Sequence, residues 1–182
     1  QPLTLSAEQQ QVFQELLPGL EDDKPHAALL HGVTGSGKTI VFLRLIQRTL
    51  ALGRRALVLV PEISLTPQMI RRLKSPFGSR LAVQHSALNN PERRVLHMIQ
   101  QGNADIVVGT RSAVFAPLQN LGLIIMDEEQ EHTYQSESAP RYDAHDVAKK
   151  RAVMENALLL FASATPQTET YYAAKSGRLQ LV

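Results

Sequence analysis

One run of residues concentrates the chemistry of this chain: Leu29-Leu30-His31-Gly32-Val33-Thr34-Gly35-Ser36-Gly37-Lys38-Thr39. An apolar segment, 27–30, leads directly into a Gly-x4-Gly-Lys-Thr loop, and a helical pattern follows it. That order is the context in which such a loop binds phosphate. Glycines let backbone N–H groups turn toward an anion. The helix behind adds unpaired N–H groups and the positive end of its dipole. Gly32, Thr34, Gly35, Ser36 and Gly37 are the expected cradle. Lys38 is expected to reach the outer phosphates of ATP, and the Thr39 hydroxyl to help hold Mg²⁺.

A second run, Leu123-Ile124-Ile125-Met126-Asp127-Glu128-Glu129-Gln130, is an apolar strand that ends in acids. At such a strand end, an acid in a phosphate-loop enzyme holds Mg²⁺. Asp127 takes that role, through water because Mg²⁺ gives up its hydration reluctantly. Glu128 is then placed to polarise an attacking water. Adjacent carboxylates repel one another, and a bound cation relieves that repulsion. Ser163-Ala164-Thr165-Pro166 closes a further apolar strand. Its hydroxyls can bond the acidic cluster or report on the terminal phosphate. Thr165-Pro166 also fits a helix N-cap, and both roles can coexist.

The elements that must carry these residues alternate along the chain. Ser6-Ala7-Glu8-Gln9 reads as a capping box, with Val12, Phe13, Leu16, Leu17 and Leu20 following at helical spacing. Strands are expected over 27–31, 55–60, 81–84, 105–108, 121–126 and 157–162. Helices are expected over 38–52, from 66 or 67 onward, 90–101, 143–156 and 166–176. Strands that alternate with helices and are apolar throughout imply a parallel sheet covered on both faces. We therefore expect one α/β domain over 1–182. In such sheets ligands bind beyond the carboxyl ends of the strands. The phosphate loop, Pro61-Glu62, Gly109-Thr110-Arg111, the acidic run and Ser163-Ala164-Thr165 all follow strands, so they should meet along one edge.

Bulk properties agree. The 182 residues suffice for one domain with a real core, and the absence of cysteine excludes disulfides and cysteine-based zinc sites. No apolar run is long enough to span a membrane, no membrane partner is expected, and a cytoplasmic location fits. Net charge is only +2, but residues 40–101 hold ten Lys/Arg against two acids, and residues 102–146 hold eight acids against two Arg. That asymmetry suggests an anionic partner near one surface and a metal or polar site near the other.

The three polar runs together resemble motifs I, II and III of superfamily 2 helicases. The wording around them resembles the replication-restart branch. Leu59-Val60-Pro61-Glu62-Ile63-Ser64-Leu65-Thr66-Pro67-Gln68, Gly109-Thr110-Arg111-Ser112-Ala113-Val114-Phe115-Ala116-Pro117-Leu118 and Asp127-Glu128-Glu129-Gln130-Glu131-His132-Thr133-Tyr134 carry that closer likeness. The resemblance implies a RecA-like phosphate-loop NTPase fold. It makes Leu5-Ser6-Ala7-Glu8-Gln9 a glutamine motif in which Gln9 reads the adenine edge; without it, Gln9 is a capping-box residue. It assigns Pro61, Glu62, Ser64 and Thr66, with Gly109, Thr110, Arg111 and Ser112, to the phosphate backbone of one DNA strand. Hydroxyls, helix-end N–H groups and an Arg suit such contacts. His85-Ser86 occupies a similar post-strand loop, although a lone His is more often structural.

The resemblance also makes residues 130–146 an aromatic-rich loop that senses DNA and signals to the ATP site. Glu129, Gln130, Tyr134, Arg141, Tyr142, Ser163 and Thr165 are the expected coupling residues. Tyr134 and Tyr142 would stack on bases or on the protein itself. Here the chain departs from the pattern: Arg141-Tyr142-Asp143-Ala144-His145-Asp146 stands where Arg-Tyr-His-Ala-Arg-Asp is expected. The implied activity is ATP hydrolysis driving movement on single-stranded or forked DNA, with restart proteins as partners. A second RecA-like lobe would supply the arginine finger, because no Gln-x-x-Gly-Arg-x-x-Arg motif occurs here. We thus expect the first helicase lobe of a longer protein. A RecG- or RecQ-like motor, a nucleotide switch that does not move on DNA, and a small-molecule kinase remain as alternatives.

Overall fold

The computed structural model describes residues 4–32, 36–85 and 90–182, with the Ser36 side chain outside that description. Seven parallel strands form one sheet: β1 (His26–His31), β2 (Arg55–Leu59), β3 (Leu81–Gln84), β4 (Ile106–Gly109), β5 (Leu121–Asp127), β6 (Leu158–Ser163) and β7 (Gln180–Leu181). Their spatial order is β3-β4-β2-β5-β6-β1-β7. The helices are α1 (Ala7–Glu21), α2 (Ser36–Ala51), α3 (Pro67–Lys74), α4 (Pro91–Gln100), α5 (Ala144–Glu155) and α6 (Thr168–Lys175).

Side-chain alternation along the strands divides the core into two layers. Leu30, Val58, Ile125 and Leu160 face one side, where Phe13, Leu16, Phe42, Leu45 and Ile46 of α1 and α2 cover them. Leu29, Leu57, Leu59, Ile124, Met126, Leu159 and Phe161 face the other, against Ala144, Ala148 and Ala152 of α5. Central strands buried on both faces explain the unbroken apolar runs. Each large side chain so buried contributes about 1.5–3 kcal/mol relative to exposure.

Strand order also sorts the functional loops. β5, β6 and β1 are neighbours, so the ends that carry Asp127, Ser163 and the phosphate loop lie side by side; Asp127 is in register with Ala162, and His31 with Ser163. On the other flank of β5, the ends of β2 and β4 bring Pro61 and Thr110 together, with Leu59 opposite Gly109. Gly109 allows a close approach there: a Cβ on it would fall 2.6 Å from that of Ala113 and 2.9 Å from that of Gln84.

β7 and the start of α6 depart from the sequence expectation. β7 pairs with β1 at the sheet edge, with Val182 N–H donating to Leu29 O at 3.0 Å. Two exposed residues show no periodicity from which to predict a strand. The last helix begins at Thr168 rather than 166, so Thr165 is not its cap. The cap-position N–H of Gln167 instead donates to the Glu129 carboxylate at 2.8 Å, which fixes the start two residues later.

Candidate nucleotide site and adjoining cleft

The site is assembled at the strand ends. Gly32 leaves β1 with φ 85, a left-handed conformation that only glycine adopts without strain. Thr34 and Gly35 lie outside the described residues. The chain then enters α2, whose first turn carries Ser36, Gly37, Lys38 and Thr39. On α1, Ser6 Oγ accepts the Gln9 N–H at 3.2 Å and Gln9 Oε1 accepts the Ser6 N–H at 2.8 Å. The same Gln9 amide donates to Gly37 O at 3.0 Å, tying α1 to the phosphate-loop helix. The capping-box reading of Gln9 therefore holds, and one amide hydrogen and one lone pair remain for a further partner.

Lys38 and Thr39 are buried. The Lys38 ammonium is 2.6 Å from Asp127 Oδ1 and also bonds Glu128 Oε1. Burial alone would lower the Lys38 pKa, but Asp127 and Glu128 outweigh it and hold the value above normal. Burial pushes Asp127 up, with the Glu128 charge adding to the rise and Lys38 opposing it. Glu128 is more exposed; against its burial, hydrogen bonds from Lys38 and Gln130 hold its carboxyl below the usual range. Two adjacent acids are thus driven apart in character.

Glu128 occupies the left-handed region at φ 48, which costs a non-glycine residue about 1–2 kcal/mol. The turn directs its carboxylate back over the strand ends. Gln130 donates to Glu128 Oε2 at 2.9 Å, and Gln130 Oε1 accepts the Ser163 hydroxyl at 2.5 Å. Ser163 in turn accepts the Thr165 N–H at 2.9 Å, while Thr165 itself is exposed. The sequence motifs I, II and III are therefore one bonded chain: Lys38, Glu128, Gln130, Ser163. The residues suit Mg²⁺ and a polyphosphate: a hydroxyl and a carboxylate stand beside a cation that is already pairing with acids.

Beside this site lies a cleft of about 200 Å³ lined by Val60, Pro61, Glu62, Thr110, Arg111, Ser112, Thr133 and Tyr134. It unites most of the residues expected to meet DNA with the segment after the acidic run. Ser64, Thr66 and Gly109 lie outside that lining, and Thr66 Oγ1 caps α3 by accepting the Met69 N–H at 3.2 Å. Arg111 donates from Nη1 to Thr133 O at 3.0 Å and Gln135 O at 3.2 Å, with its guanidinium over the Tyr142 ring. Its Nε–H is buried and lacks a hydrogen-bond partner among the described residues.

Tyr134 is not available to bases. It is 1% exposed, and its hydroxyl lies 2.5 Å from Asp127 O and 3.1 Å from Leu59 O. Burial, reinforced by the surrounding acids, raises its pKa well above normal. Of the two stacking options for this ring, the protein takes it. Tyr142 is half-buried and meets Phe115 edge-on at 4.9 Å; Arg141 is exposed.

Sequence reasoning missed three participants. His145 is buried between Asp143 and Glu129. Phe115, 55% exposed, flanks Tyr142. Arg151 holds the motif around Ala113 from below by donating to Val114 O at 2.9 Å and Ala116 O at 2.7 Å. Only His145 left a signal, as a break in the expected pattern.

The sequence pattern of the DEAD/DEAH box helicases matches residues 6–173. The replication restart protein PriA of Bacillus subtilis is 48% identical over the whole chain, which spans 23% of that protein. PriA of Chlamydia trachomatis is 43% identical over 99% of the chain and 24% of its own length. RecG, solved bound to a three-way DNA junction, superposes over the full chain with a TM-score of 0.70 and 25% identity, matching 24% of RecG. The chain thus spans about a quarter of the curated relatives it matches, and its seven-stranded parallel sheet with flanking helices is a RecA-like α/β domain. No helix among the described residues is long and apolar enough to cross a membrane. On the match over 168 of its 182 residues, 6 through 173, the chain belongs to the DEAD/DEAH box helicase family.

Proposed function

We propose that this chain is the ATP-binding lobe of a DNA helicase that couples hydrolysis to movement on single-stranded DNA during replication restart. One observation carries the reading: Lys38, Glu128, Gln130 and Ser163 form a continuous bonded path across three adjacent strand ends. That path runs beside a cleft suited to a phosphate backbone. The likeness to PriA along the whole chain supports the restart role over a RecG-like one, for which identity is lower.

In this reading the α2 N-terminus and Lys38 bind the phosphates, and Lys38 exchanges its carboxylate partners for them. Mg²⁺, held by Thr39 and by Asp127 through water, would neutralise charge on the transferring group. Glu128, kept ionised, accepts the proton of the attacking water, and Gln130 fixes the angle of that carboxylate. Gln9 offers its remaining amide hydrogen and lone pair to the adenine edge. Thr110, Ser112 and the Arg111 guanidinium, which line the cleft, bind backbone phosphates without reading sequence. The transition-state arginine would come from a second lobe in the longer protein. A cytoplasmic location with stalled or forked DNA and restart proteins as partners belongs to the same proposal.

The test is ATP turnover by the complete protein with and without single-stranded DNA. The motor reading predicts strong stimulation that vanishes in Lys38→Ala. Turnover indifferent to DNA would favour a nucleotide switch, and phosphate transfer to a small molecule would favour a kinase.

A further inference from the structure

Glu129 is fully buried, and nothing in the hydrolysis chemistry above uses it. Its oxygens nevertheless join three elements. Oε1 accepts the Gln167 N–H at 2.8 Å, and Oε2 accepts the Thr170 hydroxyl at 3.0 Å, so both hold the first turn of α6. His145 Nε2 lies 3.1 Å from Oε2 and 2.7 Å from the Glu129 carbonyl, while His145 Nδ1 lies 2.6 Å from Asp143 Oδ1.

Every partner of the His145 ring is an acceptor, so both ring nitrogens carry hydrogen. The result is an imidazolium between two carboxylates. The ring cannot easily turn away, because it stacks on Phe161 at 5.8 Å and meets the Tyr134 ring at 5.7 Å. His145 stands where the resembled pattern carries Arg, so either arrangement places a cation here.

The strut lies between two functional segments. Asp143 ends the loop that begins at Gln130; Gln135 pairs with Asp143, and the Ser136 N–H donates to Tyr142 O at 2.7 Å. At the other end, the Glu129 N–H donates to Ala162 O at 3.1 Å, and its neighbour Gln130 bonds Ser163. A shift of the loop at Asp143 therefore reaches Glu129, α6 and the Gln130–Ser163 contact through His145.

Building on the DNA-motor reading, we propose that His145 is the positioning residue that, through Glu129, couples the 130–143 loop to Ser163 and the first turn of α6. It touches no reacting atom. Its loss separates DNA sensing from hydrolysis rather than removing either.

The test uses the complete protein, with ATP turnover measured against increasing oligothymidylate. His145→Ala is expected to keep basal turnover and the half-saturating DNA concentration while lowering the DNA-stimulated kcat about tenfold. His145→Arg should restore stimulation, because it returns a cation to the acids. Thr170→Val, which removes one α6 contact to Glu129 and leaves His145 intact, should lower stimulated kcat in the same direction by a smaller factor. Full stimulation in His145→Ala, or an equal fall in basal and stimulated rates, overturns the proposal. Should His145→Ala fail to fold, Thr170→Val decides by the same split: unchanged stimulation overturns the coupling role. A parent protein indifferent to DNA overturns the motor reading and this proposal with it; a stimulated parent with unaffected variants overturns only the latter.

Discussion

The Lys38 ammonium rests 2.6 Å from Asp127 Oδ1, with both side chains about 95% buried. Lys38 thus neutralises Asp127 and Glu128 in this structure; in the proposed function Asp127 would hold Mg²⁺, and Lys38 would change partners when a nucleotide arrives. Removing it does two separable things. Lys38→Ala should abolish measurable nucleotide binding. It should also destabilise the nucleotide-free fold by roughly 2–4 kcal/mol, near the low end for orphaning a buried charge because Asp127 can take up a proton. Urea unfolding of the variant checks the second effect; unchanged stability would mean that the pair contributes nothing before nucleotide binds.

Glu128→Gln preserves size and the Gln130 contact but removes the proton acceptor. Nucleotide affinity should stay within a few-fold while turnover falls by about 10²–10⁴. Single-turnover hydrolysis beside a binding titration separates the two. A collapse of binding would reassign Glu128 to holding the nucleotide or its cation.

Tyr134→Phe tests the buried ring. Loss of the hydroxyl leaves the carbonyls of Asp127 and Leu59 without that donor and should cost about 1–2 kcal/mol of stability. Affinity for single-stranded DNA should not change, since the ring does not reach solvent. A selective loss of DNA binding at full stability would return Tyr134 to a stacking role.

Much of this was legible in the sequence for definite reasons. The Ser6–Gln9 capping box, the Thr66 cap and the 81–84 strand are set by local chemistry, and all formed as read. Asp127 was legible because an apolar strand that ends in an acid leaves the acid at the sheet edge. What local pattern could not carry depends on distant partners. Tyr134 goes inward because two strand-end carbonyls await its hydroxyl. The α6 start moved because a carboxylate 38 residues earlier caps it. Arg111 divides its donors between the cleft and the backbone of the next loop, a geometry fixed only by tertiary approach.

The His145 pair makes stability depend on pH. Burial opposes the charged ring, but the hydrogen bonds it donates to Glu129 and Asp143 outweigh it and raise the folded pKa above 6.5. The pair's contribution is therefore complete below pH 6.5 and declines as pH rises through the folded value. His145→Gln should narrow its stability deficit relative to the parent over that rise. Urea midpoints across a pH series measure it, and a gap that widened with pH would contradict the charged-ring assignment.

Arg111→Ala should weaken single-stranded DNA binding several-fold and reduce the salt slope by about one. Because Arg111 also ties down the Thr133 and Gln135 carbonyls, the 130–143 segment should become easier to cleave with protease. Weaker DNA binding with unchanged proteolysis would confine Arg111 to the phosphate contact.

The most direct test of the nucleotide site is calorimetric titration of Mg·ATP into Glu128→Gln, beside a Lys38→Ala/Glu128→Gln double variant. One-to-one binding by the first and none by the second is the expected result. Equal binding by both, or no binding by a well-folded Glu128→Gln protein, would contradict a phosphate site built on Lys38 and the end of β5.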